Sequence, residues 1–270
     1  MPSPRKSVKS PAPTPLDRHA LYQLCAQSPT RDVKVLAAIH AHKPRTLGED
    51  FCGTAALSSA WVELSSRHRA IAVDHDAATL ARSTPHPRIK LIHADARRPR
   101  DPTDLIAVLN FSICELHDRA TLIAYLRHAR RRLTPSPRAC FVCDIYGGSD
   151  AFFTGSIHQK FTGPSGQRIR YSWEQRTADP LTGRVINAMH FDVRHKGAAP
   201  FAFHDAFVYD WRLWSVPELR DALRDAGFTR TEVFERQPGA IDNDGDFHLS
   251  PIEDAGEIGS SFSLYVVGRT

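Results

Sequence analysis

The chain has 270 residues, of which 41% are hydrophobic and 24% are charged, and its formal net charge is +5 at neutral pH. This size and composition allow one substantial hydrophobic core with an elaboration on it. No apolar run reaches the roughly 18 residues that a membrane span requires, and the first residues lack the apolar centre of a secretory signal. We therefore expect a soluble, cytoplasmic protein that does not enter a membrane.

The first 15 residues are rich in proline, serine and basic side chains and contain almost nothing to bury, which predicts a disordered tail over residues 1–15. Two helical stretches follow. The first covers about 20–26, and the second begins at Asp32 with apolar residues at amphipathic spacing. The break between them is Ser28-Pro29-Thr30.

From residue 45 onward, short apolar strands alternate with helices. The predicted strands cover 45–49, 70–74, 89–93, 105–111 and 139–145, and the predicted helices cover 55–66, 77–82 and 118–133. This alternation is typical of an α/β fold in which helices cover both faces of a mostly parallel sheet. We expect residues 16–148 to form a Rossmann-like, doubly wound core that includes the two N-terminal helices.

The pattern changes after Gly147-Gly148. Aromatic and β-branched residues dominate 169–173, 185–194 and 201–209, with a turn at 179–183, which predicts antiparallel strands. We expect residues 149–214 to be a β region inserted into the α/β core, where it forms a wall of the substrate site.

Residues 215–270 are expected to complete the core. A helix over 216–226 is predicted by the capping box of Ser215 and Glu218 and by the glycine at position 227. Two further strands, 231–235 and 262–268, are expected to pair as an antiparallel hairpin at one edge of the sheet.

Three of the predicted strands end in an acidic residue, at Glu49, Asp74 and Asp95. In an open α/β sheet, ligands bind beyond the carboxyl ends of the strands. Gly53 lies in the turn after the first strand, where it allows close approach to a ligand at the N-terminus of the next helix. Asp74 follows Glu49 at about the spacing of an acid that binds ribose hydroxyls, and Asp95 is able to accept a hydrogen bond from an exocyclic amine. Together they predict a site for a nucleoside-bearing cofactor.

At these residues the sequence resembles the class I S-adenosylmethionine-dependent methyltransferases, in particular a branch with an Asp-Phe-Cys-Gly-Thr turn. The resemblance covers about 17–270. Its blocks are Leu21-Tyr22 with Gln27-Ser28-Pro29, Glu49-Asp50-Phe51-Cys52-Gly53-Thr54, Ala72-Val73-Asp74-His75-Asp76, Asn110-Phe111-Ser112, Asp144-Ile145-Tyr146-Gly147-Gly148, Tyr209-Asp210-Trp211-Arg212-Leu213-Trp214 and Tyr265-Val266-Val267-Gly268-Arg269.

The resemblance implies a role for each acidic strand end. Glu49 and Gly53 would line the methionine end of S-adenosylmethionine, Asp74 would hold its ribose, and Asp95 with Ala96 would hold its adenine.

Asn110 would lie beside the sulfonium, and residues 21–28 would cover the site as a lid. The turn departs from the usual Gly-x-Gly-x-Gly pattern, because Phe51 and Ala55 stand on either side of Gly53. The block that begins at Asn110 also lacks the Asn-Pro-Pro-Tyr type of loop, which disfavours bases and glutamine as methyl acceptors.

Methyl transfer from a sulfonium needs alignment, exclusion of water and an unprotonated acceptor more than it needs acid–base groups. The predicted substrate wall is aromatic, and its members are Tyr171, Trp173, His190, Tyr209, Trp211 and Trp214. For substrate contact we select Tyr22, Trp173 and Tyr209, and for catalysis His190, Asp192 and Trp211. His190 and Asp192 are two apart on one strand, so they share a face and are able to deprotonate or hold an acceptor. Core packing or a dimer face is the competing explanation for the aromatic residues, and a solvent-facing polar pair is the competing explanation for His190 and Asp192.

The sequence thus predicts methyl transfer from S-adenosylmethionine to a nitrogen, oxygen or carbon atom of a small molecule. No metal site is expected, because neither His-x-x-x-His on a helix nor a carboxylate cluster is present, and Cys140 and Cys143 fall on opposite faces of a strand. The alternatives are a nicotinamide-dependent oxidoreductase, an RNA methyltransferase and a non-catalytic cofactor-binding module. The arginine clusters suit solvated helix ends, and nucleic acid as a partner is not supported.

Overall fold

A computed structural model describes residues 16–41, 43–236 and 247–270. The predicted tail over residues 1–15 lies outside the described residues. The helices are α1 (Arg18–Ala26), α2 (Pro29–His40), α3 (Ala56–Glu63), α4 (Ala77–Leu80), α5 (Arg119–Arg132) and α6 (Val216–Asp225). The strands are β1 (Thr46–Asp50), β2 (Arg69–Asp74), β3 (Ile89–His93), β4 (Leu105–Val108), β5 (Cys140–Gly148), β6 (Gly155–Thr162), β7 (Arg168–Asp179), β8 (Arg184–Arg194), β9 (Phe201–Arg212), β10 (Arg230–Glu235) and β11 (Ser261–Arg269).

The main sheet has seven strands in the order β10-β11-β5-β4-β1-β2-β3. β1 pairs in parallel with both β2 and β4, and β11 runs antiparallel between β5 and β10. The predicted doubly wound sheet and the antiparallel hairpin that closes it are both confirmed. Because the chain leaves β1 toward β2 on one side and later returns to β4 on the other, a crevice opens at the carboxyl end of β1.

Helices cover both faces of this sheet. Along β4, Ile106 and Val108 face the apolar cluster that includes α5 and α6, whereas Leu105 and Ala107 face the cluster that includes α2 and α3. Successive side chains of a strand point to opposite faces, so a strand covered on both sides is a continuous apolar run rather than an alternating one.

A second, antiparallel sheet has the order β6-β7-β8-β9 and is inserted between β5 and α6. Three of its strands were predicted from their aromatic and β-branched residues. β6 was not predicted, because it is an edge strand in which nearly every residue is exposed, so the apolar alternation that marks a strand is weak. The predicted turn after β7 is present, with Gly183 at φ +74.

The two N-terminal helices pack against different sheets. Leu21 and Cys25 of α1 are buried against Tyr171 and Phe191 of the second sheet. α2 packs instead on the main sheet beside α3. α2 begins at Pro29 rather than at the predicted Asp32, because proline is well suited to the first position of a helix. The chain between the two helices therefore passes from one sheet to the other over the mouth of the crevice.

The predicted capping box is present at the start of α6, where the Ser215 and Glu218 side chains each accept a hydrogen bond from the other's backbone N–H. The strand prediction for Cys140 and Cys143 is also correct. These two thiols are buried on opposite faces of β5, in different apolar clusters. Among the described residues, no helix is long and apolar enough to cross a membrane.

Candidate active site

A cavity of about 230 Å³ lies at the carboxyl ends of β1 and β2. It is lined by side chains and backbone from those strand ends, from α1 and α2, from the segment after β4, and from β9. The residues that matter for its chemistry are His19, Tyr22, Gln27, Asp32, Glu49, Phe51, Gly53, Thr54, Asp74, Asp76, Asn110, Phe207, Tyr209 and Trp211. The structure thus brings together six of the predicted cofactor and substrate residues, namely Tyr22, Glu49, Gly53, Asp74, Asn110 and Tyr209, and with them Trp211, which was selected for catalysis.

Glu49 is buried at the floor of this cavity. Its Oε2 accepts hydrogen bonds from Ser58 N at 2.8 Å and Ser58 Oγ at 2.5 Å, so the carboxyl group caps the first turn of α3. Burial raises the pKa of Glu49 to about 7, against the opposing effect of these hydrogen bonds. Glu49 therefore holds the helix that follows the turn, while one side of it faces the cavity.

The next residue, Asp50, is an acid whose role the sequence analysis missed. It is the last residue of β1, and both of its oxygens accept from Arg132 Nη1 at 2.8 Å. The Tyr125 hydroxyl donates a further hydrogen bond to Oδ2 at 2.8 Å, and all three side chains are buried. A Cβ at Gly48 would lie 3.2 Å from Arg132 Nη2, so this glycine provides the space for the guanidinium. The strand was predicted to end one residue earlier, which concealed this ion pair.

The turn after β1 adopts a conformation that usually requires glycine. Gly53 has φ +54, and the non-glycine residues Phe51 and Ala55 have φ +59 and +55. These are the positions that depart from the Gly-x-Gly-x-Gly pattern, and a side chain there costs roughly 1–2 kcal/mol in the left-handed region. Such strain persists where the surrounding structure enforces it, as at a ligand site.

Asp74 holds this turn in place. Its Oδ2 accepts from Gly53 N at 2.7 Å and its Oδ1 accepts from Asp76 N at 2.8 Å. A carboxylate has about four acceptor positions, so capacity remains for hydroxyl groups of a ligand. Asp74 lines both the main cavity and a smaller one beside it.

Asp95 and Ala96 lie in that smaller cavity, together with Phe51, Asp74 and His75. The Asp95 carboxylate is paired with Arg97 at 2.6 Å, and hydrogen bonding to Arg97 lowers the pKa of Asp95 to about 2. The predicted adenine end therefore adjoins the predicted ribose acid.

Asn110 follows β4 with φ +58, and Phe111 follows with φ +64. The buried Asp144 carboxylate on β5 accepts from Asn110 N at 3.1 Å and from Phe111 N at 2.7 Å. Arg236 Nε lies 2.7 Å from the same carboxylate, and its guanidinium is 5.0 Å from the centre of the Phe111 ring. Asp144 and Arg236 therefore hold Asn110 in the cavity wall. Neither role was predicted, because the residues converge from distant parts of the chain.

Helix α1 lies against the cavity and contributes His19 and Tyr22 to its lining. Gln23 Nε2 donates to Thr54 Oγ1 at 2.5 Å, and Asp17, which caps α1, pairs with Arg82 of the main domain. On the other side, Arg18 Nη1 donates to the Ala206 carbonyl of β9 at 3.3 Å. α1 thus bridges the two sheets across the crevice.

A second cavity of about 530 Å³ lies between α1, α2 and the inner face of the second sheet. Its wall is largely aromatic, formed by Tyr22, Phe111, Tyr146, Phe161, Tyr171, Trp173 and Trp211. Four residues line both this cavity and the first: Tyr22, Asp32, Asn110 and Trp211. Trp173 lies in the second cavity and Tyr209 in the first, where Tyr209 hydrogen-bonds to Tyr22. The two cavities meet at these shared residues.

His190 and Asp192 are not brought to either cavity. Met189, Phe191 and Val193 on the same strand pack inward against α1, so the residues between them point to the outer face of the second sheet. There His190 Nε2 lies 3.0 Å from Glu174 Oε2. The polar pair is directed to the solvent side, and the assignment of these two residues to catalysis is not supported by this geometry.

Glu174, His190 and Asp205 form one group with ligand atoms within 4.8 Å of one another. Arg176 makes an ion pair with each of the two carboxylates. Its Nε lies 2.9 Å from Glu174 Oε2, and its terminal nitrogens contact Asp205. A guanidinium thus occupies the position between the carboxylates that a cation would need.

No family model matches the chain, and no curated protein matches it. Solved structures do match. DesVI from Streptomyces venezuelae is 15% identical, with a TM-score of 0.69 over 93% of this chain and 96% of that one. CalS10, an amino pentose methyltransferase from Micromonospora echinaspora solved with S-adenosylmethionine bound, is 16% identical over the same shares, with a TM-score of 0.66.

The sugar N-methyltransferase KedS8 from a Streptoalloteichus species is 17% identical, with a TM-score of 0.62 over 100% of this chain and 99% of that one. At this level of identity the similarity concerns the path of the chain, including the inserted sheet, and not individual site residues. The chain has the fold of S-adenosylmethionine-dependent methyltransferases.

Proposed function

We propose that this protein transfers a methyl group from S-adenosylmethionine to a small-molecule acceptor by in-line displacement. The observation that carries the proposal is the pair of cavities. The first cavity lies at the strand ends that carry Glu49 and Asp74, and the second has a largely aromatic wall. The two cavities share four lining residues, one of which, Tyr22, belongs to α1. A donor in the first cavity and an acceptor in the second would face each other across this junction.

The first cavity fits the cofactor in its chemistry. Glu49 and Gly53 would lie at the methionine end, Asp74 would accept from the ribose hydroxyls, and Asp95 with Ala96 would bound the adenine. Asn110 would lie at the junction beside the sulfonium. When bound, the cofactor supplies an activated methyl group, so the protein itself need not activate the donor.

The residues of this chain then provide alignment and exclusion of water. α1 closes the crevice through Gln23 and Arg18, which bind opposite sides of it. The strained segment at Asn110 and Phe111 is fixed by the buried Asp144, so the wall between the two cavities is rigid. A fixed wall favours the in-line approach of donor and acceptor, and Trp211 contributes a buried aromatic surface to it.

The solved structures with this fold support a small-molecule acceptor. CalS10 is named as an amino pentose methyltransferase and KedS8 as a sugar N-methyltransferase. A cytoplasmic location is part of the proposal, and the five unpaired cysteines favour a reducing compartment.

Isothermal titration calorimetry with S-adenosylmethionine tests the proposal directly. We expect micromolar binding to the wild-type protein and at least a tenfold weaker affinity in Asp74→Ala, because that change removes a charged acceptor at the ribose position and the anchor of the Gly53 turn. The matched control is Asp192→Ala, which removes an acid from the outer face of the second sheet and should bind as the wild type does. Absence of heat with the wild type, or tighter binding of a nicotinamide dinucleotide, would reject the proposal.

A further inference from the structure

Of the four residues that line both cavities, one carries a charge at neutral pH. Asn110 and Trp211 do not ionise, and burial raises the pKa of Tyr22 to about 12, so its hydroxyl stays neutral. The charged residue is Asp32, in the first turn of α2. A carboxylate therefore lies at the junction of the two cavities, across which the proposed transfer would take place.

The Asp32 carboxylate is buried, with 8% of the residue exposed, yet it is poorly satisfied. Among the described residues, its hydrogen-bonding partner is the Tyr265 hydroxyl, at the long distance of 3.4 Å from Oδ1. The charged groups around it are Arg236, Asp144 and Arg31. Arg236 is engaged at 2.7 Å by Asp144, which is fully buried, so it does not neutralise Asp32 directly.

Burial of a carboxylate is costly, and because Asp32 lines both cavities, a ligand there is able to complete its hydrogen bonds. Burial accordingly raises the pKa of Asp32 to about 6, while Arg236 and Arg31 oppose this shift and Asp144 adds to it. The group is thus an anion at neutral pH that is also able to accept a proton.

The walls of the second cavity favour the same kind of ligand. The rings of Trp173 and Trp211 are tilted by 37° to each other with their centres 5.7 Å apart, and Tyr171 and Phe111 line the same cavity. The faces of aromatic rings attract ammonium groups, most strongly those of tryptophan. Arg31 and Arg236 also line this cavity, but Arg31 lies over the ring of Phe247 and Arg236 is paired with Asp144. The aromatic sides and the Asp32 carboxylate are therefore able to bind an organic cation.

We propose that Asp32 binds the methyl acceptor through its protonated amine and takes up the proton before transfer, so that the acceptor is a basic amine with an apolar or aromatic body. This inference rests on the proposed function and extends it from small molecules in general to amines.

The bound ammonium loses one proton to the Asp32 carboxylate and becomes a free amine. Its lone pair forms the new N–CH₃ bond as the C–S bond breaks, and the electron pair of that bond stays on sulfur, which becomes a neutral sulfide. The methylated nitrogen carries the positive charge that the sulfonium lost. Asp32 returns its proton to water when the product leaves.

A structural explanation competes with this one, because an acid in the first turn of a helix also stabilises the helix dipole. The two differ in what Asp32→Asn should do. If Asp32 acts on the dipole alone, the variant loses some stability and keeps its selectivity for acceptors. If Asp32 binds the amine, the variant keeps its fold, since a neutral amide of the same shape relieves a buried charge, and loses activity toward amines.

The experiment measures transfer of a labelled methyl group to a panel of amines, beginning with phenethylamine and cyclohexylamine, each paired with the matching alcohol, phenethyl alcohol or cyclohexanol. We expect the wild type to methylate amines and not the alcohols. Asp32→Asn should lower kcat/KM for amines by about ten- to a hundredfold, the effect of losing a charged hydrogen bond. Asp32→Glu should restore part of it.

The pH profile separates proton uptake from simple packing. In the wild type, kcat/KM for amines should rise as Asp32 loses its proton, and this rise should disappear in Asp32→Asn. Methylation of alcohols at the rate of amines, absence of transfer to every amine, or an Asp32→Asn variant with unchanged kcat/KM would each overturn the inference. If instead the wild type does not bind S-adenosylmethionine, the proposed function itself fails.

Discussion

Replacing Arg132 by methionine should lower the stability of the protein strongly, although Arg132 lines neither of the two cavities. Arg132 Nη1 contacts both oxygens of Asp50 at 2.8 Å, and neither side chain is exposed to solvent to any useful extent. The variant leaves the Asp50 carboxylate buried with the Tyr125 hydroxyl as its remaining side-chain partner. Methionine has nearly the same length as the apolar stem of arginine, so the perturbation is chiefly electrostatic.

Removal of one partner of a buried ion pair costs about 3–5 kcal/mol, because the other charge stays desolvated. We therefore expect the free energy of unfolding of Arg132→Met to fall by about 4 kcal/mol, which is about 1 M in the urea midpoint at the slope typical of a chain of this size. The Asp50–Arg132 pair supports the end of β1, so S-adenosylmethionine affinity should fall as well.

Urea unfolding followed by circular dichroism measures the change. The double variant Asp50→Asn with Arg132→Met should recover most of the loss, because both charges are then absent. The exposed pair of Arg184 and Asp210 is the matched control, since Arg184→Met should cost less than about 1 kcal/mol. A loss below 1 kcal/mol in Arg132→Met, or no recovery in the double variant, would refute this account of the pair.

Two further outcomes are expected. Burial raises the pKa of Glu49 to about 7, so between about pH 4.5 and 7 the folded state holds a proton that the unfolded state releases. The contribution of Glu49 to stability is therefore fully present below about pH 4.5 and is lost as the pH rises through 7. Urea unfolding should therefore show Glu49→Gln to be more stable than the wild type by about 3 kcal/mol at pH 8 and equal to it near pH 4.5. An unchanged pH dependence would contradict this. His190→Ala should retain cofactor affinity and methyl transfer within about threefold, because His190 points away from both cavities; a loss of activity at unchanged stability would show that the outer face takes part in the reaction.

The first cavity, at the ends of β1 and β2, was predictable from the sequence because its signals are local. β2 is a short apolar run that ends at Asp74, and Gly53 lies in a turn between a strand and a helix, so the position of each relative to the sheet edge follows from strand direction alone. Two features of this cavity were nevertheless not predicted. A shift of one residue in the end of β1 concealed Asp50, and the left-handed conformations of Phe51 and Ala55 are invisible in residue types that rarely adopt them.

The second cavity was not predictable in the same way. Periodicity showed that His190 and Asp192 share a face, but not which face α1 covers. The packing of Leu21 against Phe191 decides this, and it places the pair outside. Asp144 and Arg236 are more than 90 residues apart, yet they meet beside Asn110.

The sequence by itself determined the α/β core, the order of its elements and the acids at the strand ends, because hydrophobic period, capping residues and turn residues act over a few neighbouring positions. Only the tertiary structure decided that Asp32 stands between two cavities with a weak hydrogen bond to Tyr265. That position depends on how a helix, two sheets and a strained loop pack together. Such long-range contacts determine how deeply a side chain is buried and which charges surround it, and these contacts cannot be read directly from one amino-acid sequence.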